Sequence, residues 1–221
     1  MFICFEGIDG AGKSTQARML YQRLKNDGTD VELVADPGTT KIGTSIRQIL
    51  LDSDEPITPA AQMLLFSAAR AELAAYIKSR ISAGVVVICD RWILSTLVYQ
   101  CELNQLSPGL VLAIYAETAH VHADICFLMD IDPELAAARM GKPRDRYERS
   151  SFAEKQKLRQ AYRRNAATNA DAAVVHLIDA SSDPKETHAT IYEKFCAARL
   201  QRCHARSENA SIPLSEVSGV G

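Results

Sequence analysis

Lys13 and Ser14 close the stretch FEGIDGAGKST, residues 5–15, with Gly7 and Gly12 ahead of them in the spacing G-x-x-x-x-G-K-[ST]. Glycines at those intervals let a loop wrap tightly enough for successive backbone N–H groups to converge on one point, and a helix that starts there adds its positive end. A polyphosphate is the ligand such a point holds. Lys13 would reach the β- and γ-phosphates of a bound nucleoside triphosphate and the Ser14 hydroxyl would ligate Mg2+, with Gly7, Gly10, Ala11, Gly12 and Thr15 completing the cradle. The apolar run Phe2–Phe5 before the loop and a helical pattern after it supply the strand–turn–helix context that the motif needs.

A second group of side chains has the chemistry of an acceptor site. Phe66 and Arg70 are four apart in a helical stretch and so share a face, offering a flat ring to a base and a guanidinium to its carbonyl oxygens. Asp90 and Arg91 follow the apolar run VVVIC, residues 85–89, at the carboxyl edge where an open parallel sheet places its ligands. Arg91 is suited to clamp an acceptor phosphate and Asp90 to position magnesium or its water. The segment from Arg139 to Arg164 holds ten of the chain's 25 Lys and Arg against three acids. Gly141 and Pro143 interrupt any helix there, so Lys142, Arg144, Arg146 and Arg149 ride on a loop that can close over ATP, whereas the part from Ser151 onward reads as a solvated helical face. His120 and His122 have the spacing of a metal pair on one strand face, but the sequence offers no third ligand.

These groups need a scaffold, and the hydrophobic pattern describes one. Runs apolar on both faces recur at residues 2–5, 31–35, 85–89, 125–131 and 174–178, as in a parallel sheet covered by helices on each side. Helical segments fill the intervals: Ser14–Lys25, a long one capped by Thr58-Pro59 and reaching about Ser82, and one from Ser107-Pro108 to about His120. Further helices follow Asp132-Pro133, run from Ser151 to about Ala170, and run from Asp183-Pro184 to about Arg202. The class is α/β, a five-stranded parallel sheet with helices on both faces and a short lid loop at about 139–151. Residues 1–202 form one domain, and 203–221, rich in Ser, Gly and Pro, read as a flexible tail without a catalytic role.

A net charge of -2 and a pI near 6.2 give no global basic field, which argues against nucleic acid as the main partner. Six cysteines without a C-x-x-C pair, three of them inside apolar runs, fit reduced core thiols. The N-terminal apolar run is too short for a signal peptide, no stretch approaches the length of a membrane helix, and the reading is a cytoplasmic protein with no membrane contact. An N-K-x-D guanine-reading motif is absent.

Taken in order, FEGIDGAGKST, DPGTTKIGTSIRQILLD (36–52), LLFSAARAEL (64–73), DRWILSTLVYQ (90–100) and ARMGKPRDRYERSSF (138–152) resemble the thymidylate kinase family from about residue 2 to about residue 200. The resemblance implies a P-loop kinase fold and Mg2+-dependent transfer of the ATP γ-phosphoryl group to dTMP, in a homodimer. It implies that Phe66 packs on thymine and Arg70 bonds its exocyclic oxygen. Ser95, Thr96, Tyr99 and Gln100 would contact base and deoxyribose, Tyr99 disfavouring a 2'-hydroxyl. Asp9 would face the acceptor's sugar and phosphate, Asp36 and Pro37 would border the acceptor, and Arg139 would lie against adenine. Some members carry an arginine at the place of Gly10, and those lacking it use lid arginines; this chain resembles the second type, with Arg144 or Arg146 as the catalytic arginine. Two departures stand out: the family's E-P-G-G is Asp36-Pro37-Gly38-Thr39, and Trp92 stands where Tyr, Phe or His is usual. Both are expected to border the acceptor pocket, which leaves open a 5-modified pyrimidine, such as a 5-hydroxymethyl base, or another pyrimidine monophosphate as substrate. A P-loop ATPase or nucleotide-binding protein is the reading from a different class, and it has no use for Phe66, Arg70 and Arg91.

Overall fold

A computed structural model describes residues 1–52, 55–141, 151–168 and 172–210. Five strands, β1 (Phe2–Glu6), β2 (Val31–Ala35), β3 (Val86–Asp90), β4 (Ala123–Asp130) and β5 (Ala172–Asp179), form one sheet in the order β2-β3-β1-β4-β5, every pairing parallel. Central β1 is buried along its whole length, as its unbroken apolar run requires, whereas edge strands β2 and β5 leave Leu33, Val174 and Leu177 exposed. Register places Phe5 beside Asp90 and Glu6 beside Leu128, so the carboxyl ends of β1, β3 and β4 share one edge. The loops that follow them must meet there.

The helices are α1 (Lys13–Asn26), α2 (Lys41–Asp52), α3 (Pro59–Ser82), α4 (Ile93–Thr96), α5 (Pro108–Thr118), α6 (Pro133–Arg139), α7 (Phe152–Ala167) and α8 (Pro184–Ala210). Right-handed crossovers put α1, which packs on α8, on one face and α3, which packs on α5, on the other. Side-chain caps fix two of the helix starts: Thr58 accepts from the Ala61 N–H at 3.3 Å, and Ser151 and Glu154 close a reciprocal capping box.

Four features differ from the sequence expectation. Helix α2 was not anticipated; its apolar Ile42, Ile46, Ile49 and Leu50 follow helical spacing, and Ile46 and Leu50 pack with Ala69 of α3 in a second small core beside Phe66. After β3, where the hydrophobic pattern marks no helix, a four-residue helix forms and then widens into a π-helical segment, Leu97–Leu103. Helix α8 continues past Arg202 to Ala210, into what reads as tail. Helix α7 is more than a solvated face: Leu158, Ala161 and Tyr162 are buried, and Arg159 forks onto Asp130 at 2.8 and 2.9 Å.

Cys4, Cys89 and Cys126 are buried free thiols. The His120 and His122 rings meet edge to face at 4.6 Å in the connection before β4, and no cluster of three or more metal-ligating side chains exists among the described residues.

Candidate active site

The loop after β1 is shaped by backbone demands that only glycine meets. Gly7 has φ +134, and a Cβ there would sit 2.5 Å from the Met129 carbonyl oxygen of β4. Gly10 has φ +82, and its Cβ would sit 2.4 Å from the Ala136 carbonyl oxygen. An arginine at this place, as in the other branch of the resemblance, has neither the conformation nor the room. Gly10→Ala is therefore expected to lower ATP affinity at least tenfold while dTMP binding stays within a few-fold, measured by titrating each nucleotide separately. Affinities that both match the parent would refute the tight wrap.

Gly12 caps α1 in a left-handed conformation and leaves the first N–H groups of the helix, at Lys13, Ser14 and Thr15, directed out of its end. Lys13 folds back over the loop, its Nζ donating to the Ile8 carbonyl at 2.8 Å and lying 3.8 Å from Asp9 Oδ1. Burial and the nearby Arg91 pull the Lys13 ammonium down to about 8, against the opposing pull of Asp9, Asp90 and Glu6. The lysine thus passes from mostly charged to mostly neutral as pH rises through that value. ATP affinity of the free enzyme is expected to hold to about pH 8 and then to weaken up to tenfold per unit towards pH 9.5. A flat calorimetric titration series across that range would contradict it.

Arg91 occupies the junction between the two halves of the site. Its Nη2 forms an ion pair with Asp9 Oδ1, and its Nη1 donates to the Ser95 hydroxyl, the Tyr162 hydroxyl and the Gly7 carbonyl at 3.1, 3.1 and 3.3 Å. Tyr99 donates its hydroxyl to the other Asp9 oxygen at 2.9 Å, with the Arg91 guanidinium 5.5 Å above its ring. Burial raises Asp9, but Arg91, Lys13 and the Tyr99 hydroxyl outweigh it and hold the carboxyl at about 2. Asp9 is ionised at every working pH. Its Oδ1 therefore sits between the lysine of the donor loop and the arginine of the acceptor side.

On the acceptor side, Arg70 is buried and fixed, with Nε on Asp36 Oδ2 at 2.6 Å and Nη2 on the Thr96 hydroxyl at 2.7 Å. Phe66, half-buried one turn earlier, offers its ring to the same space. Gln100 is buried, and its Nε2 has no partner among the described residues. These groups and the phosphate loop line one continuous cavity of about 780 Å³ that also takes in Asp36, Pro37, Asp90, Arg91, Ser95 and Tyr99. Arg139, at the other end of the cavity, donates to the carbonyls of Ala180 and Ser181 at 2.7 and 3.1 Å and walls the donor side.

Of the site residues expected from sequence, Gly7 stands outside the cavity lining, and Lys142, Arg144, Arg146 and Arg149, with most of the expected lid, lie outside the described residues. Trp92 corrects an expectation. It does not border the cavity: its indole is buried, donates to the Tyr115 hydroxyl and the Val121 carbonyl at 3.0 and 3.2 Å, and packs edge-on against Phe2. Its ring packs into the core, and it meets the acceptor side through the Arg70 guanidinium, 5.7 Å from its ring centroid. Arg47 and Tyr162 are among the side chains that the motif spacing does not point to. Arg47 of α2 lines the cavity and donates to the Pro37 carbonyl at 3.0 Å, and Tyr162 of α7 reaches Arg91; the helical spacing around Arg47 was the available signal for the first.

Ser14 Oγ donates to Asp90 Oδ2, and Asp90 Oδ1 is buried with no partner among the described residues. A hydroxyl and a carboxylate with a spare oxygen, beside the phosphate loop, suit a hard cation such as Mg2+.

A parallel sheet with a phosphate loop at the end of its central strand, joined through one arginine to a pocket for a flat base, defines a P-loop nucleoside monophosphate kinase. The family model for thymidylate kinase matches residues 5–191. Thymidylate kinase of Halothermothrix orenii is 38% identical over 201 residues, 88% of this chain and 95% of that protein. Its counterpart in Prosthecochloris aestuarii is 38% identical over 212 residues, 90% of this chain and 94% of that protein. A crystal structure of the Ehrlichia chaffeensis thymidylate kinase superposes with a TM-score of 0.71 at 27% identity, covering 88% of this chain and 98% of that one. The chain belongs to the thymidylate kinase family.

Proposed function

We propose that this enzyme transfers the γ-phosphoryl group of ATP to dTMP, giving ADP and dTDP. The observation that carries this reading is the shared Asp9 oxygen: Lys13 and Arg91 approach the same carboxylate, so a donor phosphate on the loop and an acceptor phosphate on Arg91 must abut. A phosphate monoester is largely dianionic at neutral pH, so its oxygen attacks the γ-phosphorus without a general base. The bond to the β–γ bridging oxygen breaks in line and ADP leaves with the electron pair. The protein's part is to hold two anions together: Lys13 balances the β- and γ-phosphates, Arg91 balances the acceptor, and Phe66 with Arg70 fixes the base. Ser14 and Asp90 would hold Mg2+, which when bound neutralises charge on the phosphate oxygens.

Arg144 or Arg146 is assigned to the transferring group on the strength of the family pattern, Arg144 favoured slightly, and Gly10 supports that assignment because no arginine fits the loop itself. A single domain over residues 1–202, a homodimer and a cytoplasmic site of action are part of this reading, and family membership is what supports them. None of the described helices is long and apolar enough to cross a membrane. The test is a coupled ADP-release assay over dTMP, dUMP, dCMP and 5-substituted dUMPs. The highest kcat/KM is expected for dTMP; a 5-substituted dUMP that outperforms it would move the assignment to a modified base, and a rate indifferent to acceptor would point to an ATPase.

A further inference from the structure

Glu6 lies at the carboxyl end of β1 and is fully buried, yet it belongs to no part of the phosphate motif. Its carboxylate accepts three hydrogen bonds from the segment after β3: Oε1 from the Trp92 and Ser95 N–H groups at 2.7 and 3.1 Å, and Oε2 from the Ser95 hydroxyl at 2.6 Å. Helix α4 is short, and Trp92 at its N-cap position supplies no capping side chain. Glu6 fills that role from the neighbouring strand. Immediately before this helix, Arg91 has φ +72, a left-handed conformation that a non-glycine residue keeps only when its surroundings impose it.

The direction of the hydrogen bonds matters as much as their number. Ser95 has a single hydroxyl hydrogen, and giving it to Glu6 turns the Ser95 lone pairs towards Arg91 Nη1 at 3.1 Å and the Tyr162 hydroxyl at 2.9 Å. We infer that Glu6 is a positioning residue for the acceptor clamp: its carboxylate fixes the polarity of Ser95 and the left-handed turn, and so aims Arg91 at the acceptor's phosphate. The inference rests on Arg91 being that clamp.

Glu6→Gln separates polarity from shape. The amide fills the same volume but must present its N–H2 either to the Ser95 hydroxyl or to the two backbone N–H groups. The first choice turns the Ser95 hydrogen towards Arg91, donor against donor, or towards Tyr162, which must then stop donating to Ser95, and the second abandons the cap. Glu6→Gln is expected to raise the KM for dTMP on the order of 10- to 100-fold, with the KM for ATP and the melting temperature near parental. A parental dTMP KM, or both KM values and the melting temperature shifting together as for a packing residue, overturns the inference. In a Ser95→Ala background the effect of Glu6→Gln should shrink severalfold, because the relay is already cut, and an undiminished effect overturns the relay. If the glutamine variant does not fold, Glu6→Asp serves in its place. It keeps the charge but cannot reach all three donors, and a parental dTMP KM in that variant is equally fatal. Arg91→Ala is measured alongside: an unchanged dTMP KM there defeats the clamp itself, whereas a raised KM with an inert Glu6→Gln defeats only the positioning role.

Discussion

Lys13→Ala should leave on the order of 1% or less of parental kcat, a barrier increase of at least ~3 kcal/mol. Removing the ammonium leaves the β- and γ-phosphates undercompensated as charge spreads over the transferring oxygens. The fold should change little, because the lost pairing with Asp9 and the Ile8 carbonyl is offset by the relief of burying a charge. Lys13 is buried with its charge disfavoured, as its lowered value of about 8 shows, so deleting that charge relieves a desolvation cost. The expected pattern is lost turnover with a melting temperature close to parental. Turnover within twofold of the parent at saturating substrates would remove the loop from the mechanism.

Arg91→Ala should cut kcat/KM for dTMP on the order of 10³-fold, because two charge-assisted hydrogen bonds to a phosphate are worth about 4 kcal/mol together. ATP affinity should fall far less. Asp9 loses the first of the partners that offset its burial, and the electrostatic restraint on Tyr99 weakens with it. Arg91→Lys should recover only part of the loss, since a point charge cannot reproduce the fork that spans Asp9, Ser95 and Tyr162. Comparing kcat/KM for each substrate separately decides the matter; equal losses for ATP and dTMP would mean that Arg91 organises the whole cleft and is not the acceptor's clamp.

Much of this architecture could be read from local patterns. The five apolar runs mark the five strands, and Thr58-Pro59, Asp132-Pro133 and Ser151 with Glu154 mark helix starts, because each signal is a short-range steric or hydrogen-bonding effect. Helix α2 was harder: Gly43 and the threonines at 39, 40 and 44 weaken the helical signal, although the spacing of Ile42, Ile46, Ile49 and Leu50 carries it. The site residues came from motif spacing, which reports what each group is but not what it touches. Arg70 was expected to face a base; that two of its nitrogens are already committed to Asp36 and Thr96 depends on partners 34 and 26 residues away. Glu6 shows the limit most clearly. It sits next to the motif, and its importance lies in donors 86 and 89 residues further along, which only the sheet brings to it. Trp92 is the converse, expected to border the pocket but packed in the core, where it meets the pocket through the Arg70 guanidinium over its ring.

The central claim is direct transfer between two nucleotides in one cleft, and the most direct measurement follows the phosphoryl group itself. The enzyme is incubated with Mg2+ and ATP labelled in the γ-phosphate, with and without dTMP, and the products and the protein are separated. The account predicts label in the β-position of dTDP, little inorganic phosphate without dTMP, and none covalently on the protein. Labelled inorganic phosphate released at the same rate with or without dTMP would contradict it.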